Sequence, residues 1–327
     1  MPRRTRLKLS DDIVLRAYRE MRLIREFEDR VNREMATGDV PGAVHLYAGQ
    51  EASAVGVCMH LKGIDWIAST HRGHGHCIAK GCNVDGMMAE IFGRRNGLCH
   101  GKGGSMHIAD MDRGMMGANG IVGAGPPMIV GAALSAKLLK TGGVAVAFAG
   151  DGAFNQGTTA ESLNLAAIWK LPVIFVIEDN GFAEATSSDY ATAGQITDRA
   201  RAFEIPSDLV DGLDFFKVYA ACEVVVKRAR SGEGPSLLHI KTPRYYGHFS
   251  GDADTYRTDQ EKVSMRKDAD CLKILRRNVC ERSSLPENLF DAIDNEVHDL
   301  IDKAVEVARG GAFPDPGEVE TDVYSSY

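Results

Sequence analysis

The chain has 327 residues, of which 44% are hydrophobic and 25% charged, and its formal net charge at pH 7 is −7. This length is ample for one large α/β domain, and no apolar run is long enough to cross a bilayer. The negative net charge gives no general attraction for nucleic acid. Since the N-terminus also lacks a secretory signal or a transit peptide, we expect a cytoplasmic protein without membrane or nucleic-acid partners.

The seven cysteines form no C-x-x-C pair, and their odd number argues against a disulfide framework. Cys77 and Cys99 lie near several histidines in the sequence, which raises the alternative of a zinc site. The spacing matches no zinc pattern, however, so we expect reduced thiols.

Residues 11–37 are predicted to form an amphipathic helix. Ser10 stands at its N-cap position, Asp11 and Asp12 suit its first turn, and Gly38 ends it. Further along the chain, residues 66–69 are a candidate strand and residues 127–140 a helix of small residues suited to close packing.

The central part of the sequence predicts a βαβ unit. Residues 144–149 and 173–177 are apolar runs typical of strands in a parallel sheet. Residues 159–170 between them predict a helix, with a capping box at residues 158–161. Residues 236–240 predict another strand, followed by a loop at residues 243–257.

A second capping box at residues 284–287 predicts the start of a C-terminal packing helix that runs to Gly310. A tail rich in proline and glycine follows it. We expect residues 1–327 to form a single domain, with the N-terminal helix at 11–37 and the C-terminal helix and tail at 284–327.

Polar residues end the two central strands. Gly150, Asp151 and Gly152 follow the first strand, and Asn180 follows the second. Because parallel strands end at the same edge of a sheet, we expect Asp151 and Asn180 to meet there. Their oxygen atoms suit Mg²⁺, and the glycines allow close approach of a diphosphate to the backbone near a helix N-terminus.

This combination resembles the thiamin diphosphate motif, which opens with Gly-Asp-Gly and closes after a helix and a strand in an Asn-rich turn. Longer runs resemble the alpha subunits of the thiamin-dependent component of 2-oxo acid dehydrogenase complexes, most closely the acetoin dehydrogenase branch. The runs that carry this resemblance are residues 44–52, 69–75, 100–107, 117–124 and 244–249.

The resemblance implies an α/β thiamin diphosphate-binding fold, with a mainly parallel sheet and helices on both faces, and thiamin diphosphate and Mg²⁺ as cofactors. It implies cleavage of acetoin with transfer of the acetyl unit to lipoamide, or alternatively the oxidation of pyruvate or another 2-oxo acid. The chain is too short to hold the pyrimidine-binding domain as well. A beta subunit, an α₂β₂ assembly and a lipoyl-bearing acyltransferase are therefore the implied partners.

The resemblance assigns Asp151, Asn180 and the carbonyl of Phe182 to the Mg²⁺ ion. It assigns the backbone of Gly152 and Ala153 to contacts with the diphosphate. Many relatives carry Asn at the position of Asp179, but the matching metal ligand is Asn180, and we expect metal binding to survive this difference.

Four further residues match positions that line the cofactor: His71, Arg72, Gly120 and Val122. The Arg72 guanidinium suits a diphosphate, and its alternative is a surface ion pair. His71 stands where many relatives carry Tyr, and is assigned to the aminopyrimidine side. Val122 is assigned to the bend between the two rings, and it also fits a core position.

His45 and His248 match two catalytic histidines that bind substrate, stabilise charge or assist transfer to the lipoyl group. His76, His100 and His107 receive no role from the sequence. The run at residues 247–252 favours the acetoin branch, and Ala43, where pyruvate-specific relatives tend to carry an aromatic residue, predicts a roomier pocket.

Two other functions are alternatives. Residues 123–128 begin like the G-x-G-x-x-G of nicotinamide-dependent dehydrogenases, but Met128 replaces the last glycine and no strand leads cleanly into the run. A non-catalytic scaffold subunit is the second alternative. The presence of Asp151, Asn180 and His248 argues against it.

Overall fold

The computed structural model describes residues 9–281 and 285–324. Its strands are β1 (Trp66–Ala68), β2 (Ala145–Gly150), β3 (Val173–Asp179), β4 (Phe182–Ala183), β5 (Thr186–Ser187), β6 (Ser207–Asp211) and β7 (Ser236–Lys241). Its α-helices are α1 (Asp11–Met35), α2 (Glu51–Cys58), α3 (His74–Lys80), α4 (Val84–Ile91), α5 (Gly125–Leu138), α6 (Gly157–Ile168), α7 (Ser188–Ala191), α8 (Ile196–Arg201), α9 (Phe215–Arg230), α10 (Asp259–Asp268), α11 (Cys271–Cys280) and α12 (Asn288–Gly310). None of the helices in this described part combines the length and apolar character that a membrane span requires.

The main sheet has the strand order β1-β2-β3-β7-β6, and all of its pairings are parallel. The central strands β2 and β3 are almost continuously apolar and buried, as expected for strands that are covered on both faces. The short strands β4 and β5 form a separate antiparallel hairpin. The predicted mainly parallel sheet is confirmed.

Alternate residues of the strands enter two hydrophobic cores. Val146 and Val176 pack in one core together with residues of α1, α2, α9 and α12. Ala147 and Phe175, their neighbours in the chain, pack in the other core with residues of α5, α6 and α8. This alternation follows from the two-residue period of a strand. Helices on both faces of the sheet are thereby confirmed as well.

The N-terminal helix has nearly the predicted bounds, with Ser10 at its N-cap position, but the Ser10 side chain makes no capping hydrogen bond. The capping box at residues 158–161 is wrong. Helix α6 begins at Gly157 after Gln156, which has extended backbone angles. The Thr158 hydroxyl instead donates a hydrogen bond to the Gly123 carbonyl over 3.0 Å, so it ties the helix to a neighbouring loop.

Helix α12 is the predicted C-terminal packing helix, and it packs against α4 and α1. Ser284, the first residue of the second capping box, lies outside the described residues. The tail after α12 returns to the body of the protein, where Glu318 lies 2.7 Å from Arg95 and Asp322 lies 2.6 Å from Lys102. That the whole chain is one domain stays a prediction.

Candidate active site

A pocket of about 300 Å³ lies at the carboxyl edge of the sheet, among the loops that follow β1, β2, β3 and β7. Parallel pairing explains its position, because Gly150 at the end of β2 is in register with Glu178 near the end of β3. The structure brings all of the predicted site residues to this pocket: His45, His71, Arg72, Gly120, Val122, Asp151, Gly152, Ala153, Asn180, Phe182 and His248.

Asp151 and Asn180 bring oxygen donors to one region of the pocket. The Asp151 carboxylate is buried and accepts a hydrogen bond from the Ser188 hydroxyl. Burial raises the pKa of Asp151, and the charge of Asp179 raises it further. The Asn180 amide donates to Gln50 over 3.3 Å. A divalent cation would favour the ionised form of Asp151, so these hard donors fit Mg²⁺.

Asp179 takes no part in this donor set because its own carboxylate is already engaged. It accepts a hydrogen bond from the Gly181 N–H over 2.9 Å, and its other oxygen lies 2.7 Å from His239 and 2.5 Å from Lys241. Burial opposes ionisation, but the hydrogen bonds from His239 and Lys241 lower the pKa of Asp179 to about 2. The Asp179 carboxylate therefore holds the end of β3 in place, immediately before Asn180.

Gly152 is required by the close approach of the β4–β5 hairpin. A Cβ atom at this position would lie 2.5 Å from the Cβ of Ala183, well inside contact distance. The hairpin therefore lies directly over the Gly-Asp-Gly turn, and it carries Phe182 to the pocket while Ser188 follows it to Asp151. No pattern in the sequence predicted this hairpin.

Arg72 is buried, and the surface ion pair weighed for it is wrong. It donates hydrogen bonds to the carbonyl oxygens of Leu46, over 2.6 Å, and His248, over 2.9 Å. Burial and the positive charge of Arg244 lower the pKa of Arg72 to about 9. The pocket therefore carries two buried positive charges, and an anionic ligand such as a diphosphate fits it.

His45, His71 and His248 form a cluster, which is here called the histidine trio. Their ring centroids are 4.8 Å apart for His45 and His71, 4.9 Å for His45 and His248, and 5.1 Å for His71 and His248. Burial and the Arg72 charge lower the pKa of His45 to about 3, of His71 to about 2 and of His248 to about 4. All three rings are therefore neutral at physiological pH.

Arg244 and Glu178 are pocket residues to which the sequence analysis gave no role. The Nε atom of buried Arg244 has no hydrogen-bond partner within the described residues. The Glu178 carboxylate accepts from the Tyr47 hydroxyl and lies 3.2 Å from His76, whose other ring nitrogen is 2.7 Å from Ser69. Two features of the sequence could have indicated these residues. Arg244 opens the run at residues 244–249, and Glu178 is a charged residue near the end of a buried strand.

The other histidines are not assembled into a metal site with the cysteines. Both ring nitrogens of His74 have partners, Glu28 at 3.0 Å and Ser105 at 2.9 Å. Within residues 9–281 and 285–324, the histidine trio is the one group of three or more potential metal-ligating side chains that converge. The zinc alternative at Cys77 and Cys99 is therefore wrong.

Ala43 does not support the roomier pocket predicted for it. Its side chain is exposed, and it is absent from the residues that line the pocket, whereas His45 two positions later lines it. Phe249 lies closer, with its ring centroid 6.2 Å from that of His45.

Such a site, with glycine turns, oxygen donors and buried arginines at the strand ends, is typical of α/β proteins that bind a phosphorylated cofactor. The chain belongs to the dehydrogenase E1 component family, whose model matches residues 19–316. Membership confirms the resemblance drawn from the sequence and implies thiamin diphosphate as the cofactor. It also argues against the nicotinamide-dependent and non-catalytic alternatives.

Curated relatives cover almost the whole chain. The alpha subunit of acetoin:2,6-dichlorophenolindophenol oxidoreductase from Cupriavidus necator is 56% identical over 322 residues, which are 98% of this chain and 97% of the relative. The subunit of the same name from Bacillus subtilis is 52% identical over 326 residues, 99% and 97% of the two chains. The pyruvate dehydrogenase E1 component subunit alpha from Rhizobium meliloti is 40% identical over 310 residues, 94% and 89%.

Proposed function

We propose that this chain is the alpha subunit of a thiamin diphosphate-dependent acetoin dehydrogenase, which cleaves acetoin and transfers the acetyl unit to lipoamide. The observation that carries the proposal is the difference in identity between two groups of relatives. The acetoin subunits are 56% and 52% identical and the pyruvate subunit 40% identical, each over most of its length. The second candidate is the matching subunit of a pyruvate or other 2-oxo acid dehydrogenase.

Asp151, Asn180 and the carbonyl of Phe182 are the proposed Mg²⁺ ligands, and the backbone of Gly152 and Ala153 is proposed to contact the diphosphate. The proposal is supported by their common position at the pocket and by the unfavourable burial of the Asp151 carboxylate. Mg²⁺ prefers few protein ligands and is completed by phosphate oxygens and water, which suits this small donor set.

The other side of the pocket is proposed to hold the rings of the cofactor, with Gly120 and Val122 against them and His71 on the aminopyrimidine side. Arg72 is proposed to face the diphosphate while it holds the His248 carbonyl. When bound, the cofactor supplies the electron sink that cleavage of a carbon–carbon bond beside an oxygen-bearing carbon requires.

His45 and His248 are the proposed catalytic histidines. The Nδ1 atoms of both rings are buried, and no residue in the described part of the chain hydrogen-bonds them. A neutral imidazole can donate to a substrate carbonyl or accept from a hydroxyl, so the pair can orient acetoin through hydrogen bonds. The lowered pKa values keep both rings in this neutral form at neutral pH.

A beta subunit, an α₂β₂ assembly and a lipoyl-bearing acyltransferase complete the proposal. The rim of the pocket supports a covering chain, because Ile121 and Val122 line it and are 70% and 49% exposed. Exposed apolar side chains beside a cofactor site are typical of a surface that another protein chain covers.

The proposal is tested by assaying the complex reconstituted with its beta partner on acetoin, pyruvate and 2-oxoisovalerate with one common acceptor. We expect the highest kcat/KM for acetoin. Some turnover of pyruvate is expected too, since selectivity for one small apolar group reaches only about 10–200-fold. The Asp151→Ala complex serves as the blank. A wild-type preference for pyruvate would move the chain to the pyruvate branch.

A further inference from the structure

The histidine trio has a property that the proposed reaction does not use. The ring nitrogens of His45, His71 and His248 that face one another all lie within 4.8 Å. His45 is only 7% exposed, and neither its Nδ1 nor that of His248 has a partner among the described residues. Three converging neutral imidazoles, two of which have an unpartnered Nδ1 atom among the described residues, are suitable ligands for a metal ion.

We propose that the histidine trio binds a borderline divalent transition-metal cation of the Zn²⁺ and Co²⁺ class, and that the bound ion blocks substrate from the pocket. The binding step rests on this geometry alone, and the inhibition rests on the proposed function of the pocket. This site differs in chemistry from the Mg²⁺ site, because imidazole nitrogens suit Zn²⁺ and Co²⁺ whereas the oxygens of Asp151 and Asn180 suit Mg²⁺.

The spacing requires only small side-chain movements. A tetrahedral zinc site with Zn–N bonds of about 2.0–2.1 Å places its ligand nitrogens about 3.3 Å apart. The trio therefore has to contract by at most about 1.5 Å, which side-chain torsions can supply. Three histidines leave a fourth position open for water or an anion, as in zinc sites that are not purely structural.

The charges around the trio set the strength of the site. The guanidinium groups of Arg72 and Arg244 repel a cation that binds to the trio. Asp252 is a nearby carboxylate, and its negative charge beside His248 attracts the cation. We therefore expect weaker binding than in a structural zinc site. The same two arginines favour an anion such as chloride in the fourth position.

The binding test uses the complex of this chain with its beta partner after removal of thiamin diphosphate and divalent ions. Co²⁺ is titrated in, and the visible d–d absorption of four-coordinate Co²⁺ is recorded. We expect one ion per alpha chain, displacement by Zn²⁺ and no displacement by an equal concentration of Mg²⁺. The absence of these bands would overturn the proposal whatever the substrate of the enzyme.

The decisive variant is His71→Tyr, which keeps an aromatic ring and removes one ligand. Loss of a ligand should exceed the 10–100-fold effect of losing a residue that only orients one, so we expect Co²⁺ affinity to fall by at least about 100-fold. His248→Gln should act similarly. The control is His298→Gln, on α12 outside the pocket, which should retain the wild-type titration. Equal Co²⁺ affinity of His71→Tyr and the wild type would refute the proposed metal site at the trio.

Inhibition is measured with thiamin diphosphate and Mg²⁺ present, as the ratio of turnover with and without Zn²⁺, taken for each variant against its own Zn²⁺-free rate. The wild-type complex should lose turnover as the trio fills, and a chelator that binds Zn²⁺ much more tightly than Mg²⁺ should restore it. In His71→Tyr the Zn²⁺ concentration for half inhibition should rise by at least about 100-fold, in parallel with the Co²⁺ affinity. If Co²⁺ binds to the trio but Zn²⁺ leaves turnover unchanged, the blocking of substrate is refuted.

Discussion

His239 and Asp179 lie on neighbouring strands, and the Nε2 atom of His239 is 2.7 Å from the Asp179 carboxylate. Lys241, in register with Asp179, reaches the same oxygen over 2.5 Å. The pair fixes the end of β3 immediately before Asn180. A carboxylate at this position is thus tolerated because β7 supplies its partners, and the neighbouring Asn180 lines the pocket.

We expect Asp179→Asn to destabilise the protein without abolishing cofactor binding. The folded pKa of about 2 lies below the ordinary value of 3.8, so the ionised carboxylate stabilises the fold above about pH 4 and this contribution is lost as the pH falls towards 2. The variant should unfold with a free energy about 2 kcal/mol lower at pH 7. Urea unfolding measures it, with Asp208→Asn on β6 as the exposed control. Equal losses of unfolding free energy in Asp179→Asn and Asp208→Asn would contradict this explanation.

We expect Asp151→Ala to abolish Mg²⁺-dependent binding of thiamin diphosphate while the fold remains intact. The neutral amide of Asn180 cannot replace the lost anionic ligand, and affinity should fall by at least about 100-fold. Titration of the assembled complex with the cofactor is the measurement. Asp189→Ala, which removes an exposed carboxylate one residue after Ser188, is the control. Unchanged affinity of Asp151→Ala for thiamin diphosphate would contradict the proposed metal site.

Much of the site was predictable because it depends on the ends of parallel strands. The apolar runs that form β2 and β3 are long and uninterrupted, and the Gly-Asp-Gly turn and Asn180 stand directly at their ends. The meeting of Asp151 and Asn180 follows from that topology alone. The proposed catalytic histidines could be identified only through the resemblance, since no periodicity distinguishes His45 or His248 from solvated residues.

The parts that escaped prediction have weak local signals. Strand β6 is an edge strand in which Ser207 and Val210 are buried and the other residues exposed, so it lacks a continuous apolar run. The β4–β5 hairpin has two residues in each strand, and its position over Gly152 is a long-range contact. The buried pairing of Glu178 with His76 likewise depends on packing between distant segments.

Glu90 provides a test of how the loop at residues 99–104 is held. Its fully buried carboxylate accepts four backbone N–H groups, two on each oxygen, from Cys99, Gly101, Gly103 and Gly104. In Glu90→Gln the amide group would face two of these donors, and the lost hydrogen bonds should cost at least about 2 kcal/mol of stability.

The same substitution should weaken binding of thiamin diphosphate. The loop leads to Met106 and His107, which lie beside Gly120 at the pocket. Thermal unfolding and cofactor titration of the assembled complex measure the two effects. Glu306→Gln, at an exposed position of α12, is the control. A Glu90→Gln complex as stable as this control would show that the loop does not depend on the carboxylate.

We expect the isolated chain to be inactive in lipoamide-dependent turnover and to regain activity when it is mixed with the beta chain. The physical reason is that the described residues have proposed roles on the diphosphate side of the site, while apolar residues at the rim such as Ile121 are exposed. Activity is measured as a function of added beta chain at a fixed concentration of this chain. Substantial turnover by this chain alone would refute a site shared between two subunits.

The histidine trio predicts a specific loss of stability in acid. Each ring has a folded pKa of about 2 to 4, against an ordinary value of 6.5. The unfolded chain therefore binds protons first, and stability that is complete at pH 7 is lost as the pH falls below 6.5. Between pH 7 and pH 5 each histidine should contribute up to about 2 kcal/mol to this loss.

Urea unfolding of the cofactor-free complex at pH 7, 6 and 5 measures the effect. His71→Tyr and His45→Gln should each reduce the difference in free energy between pH 7 and pH 5, because their side chains do not titrate in this range. His298→Gln, outside the pocket, should keep the wild-type difference. If all three variants lost stability in acid as steeply as the wild type, the neutral, buried state of the trio would be wrong. A reduced loss confined to the trio variants would tie the acid sensitivity of the fold to the pocket that we propose as its active site.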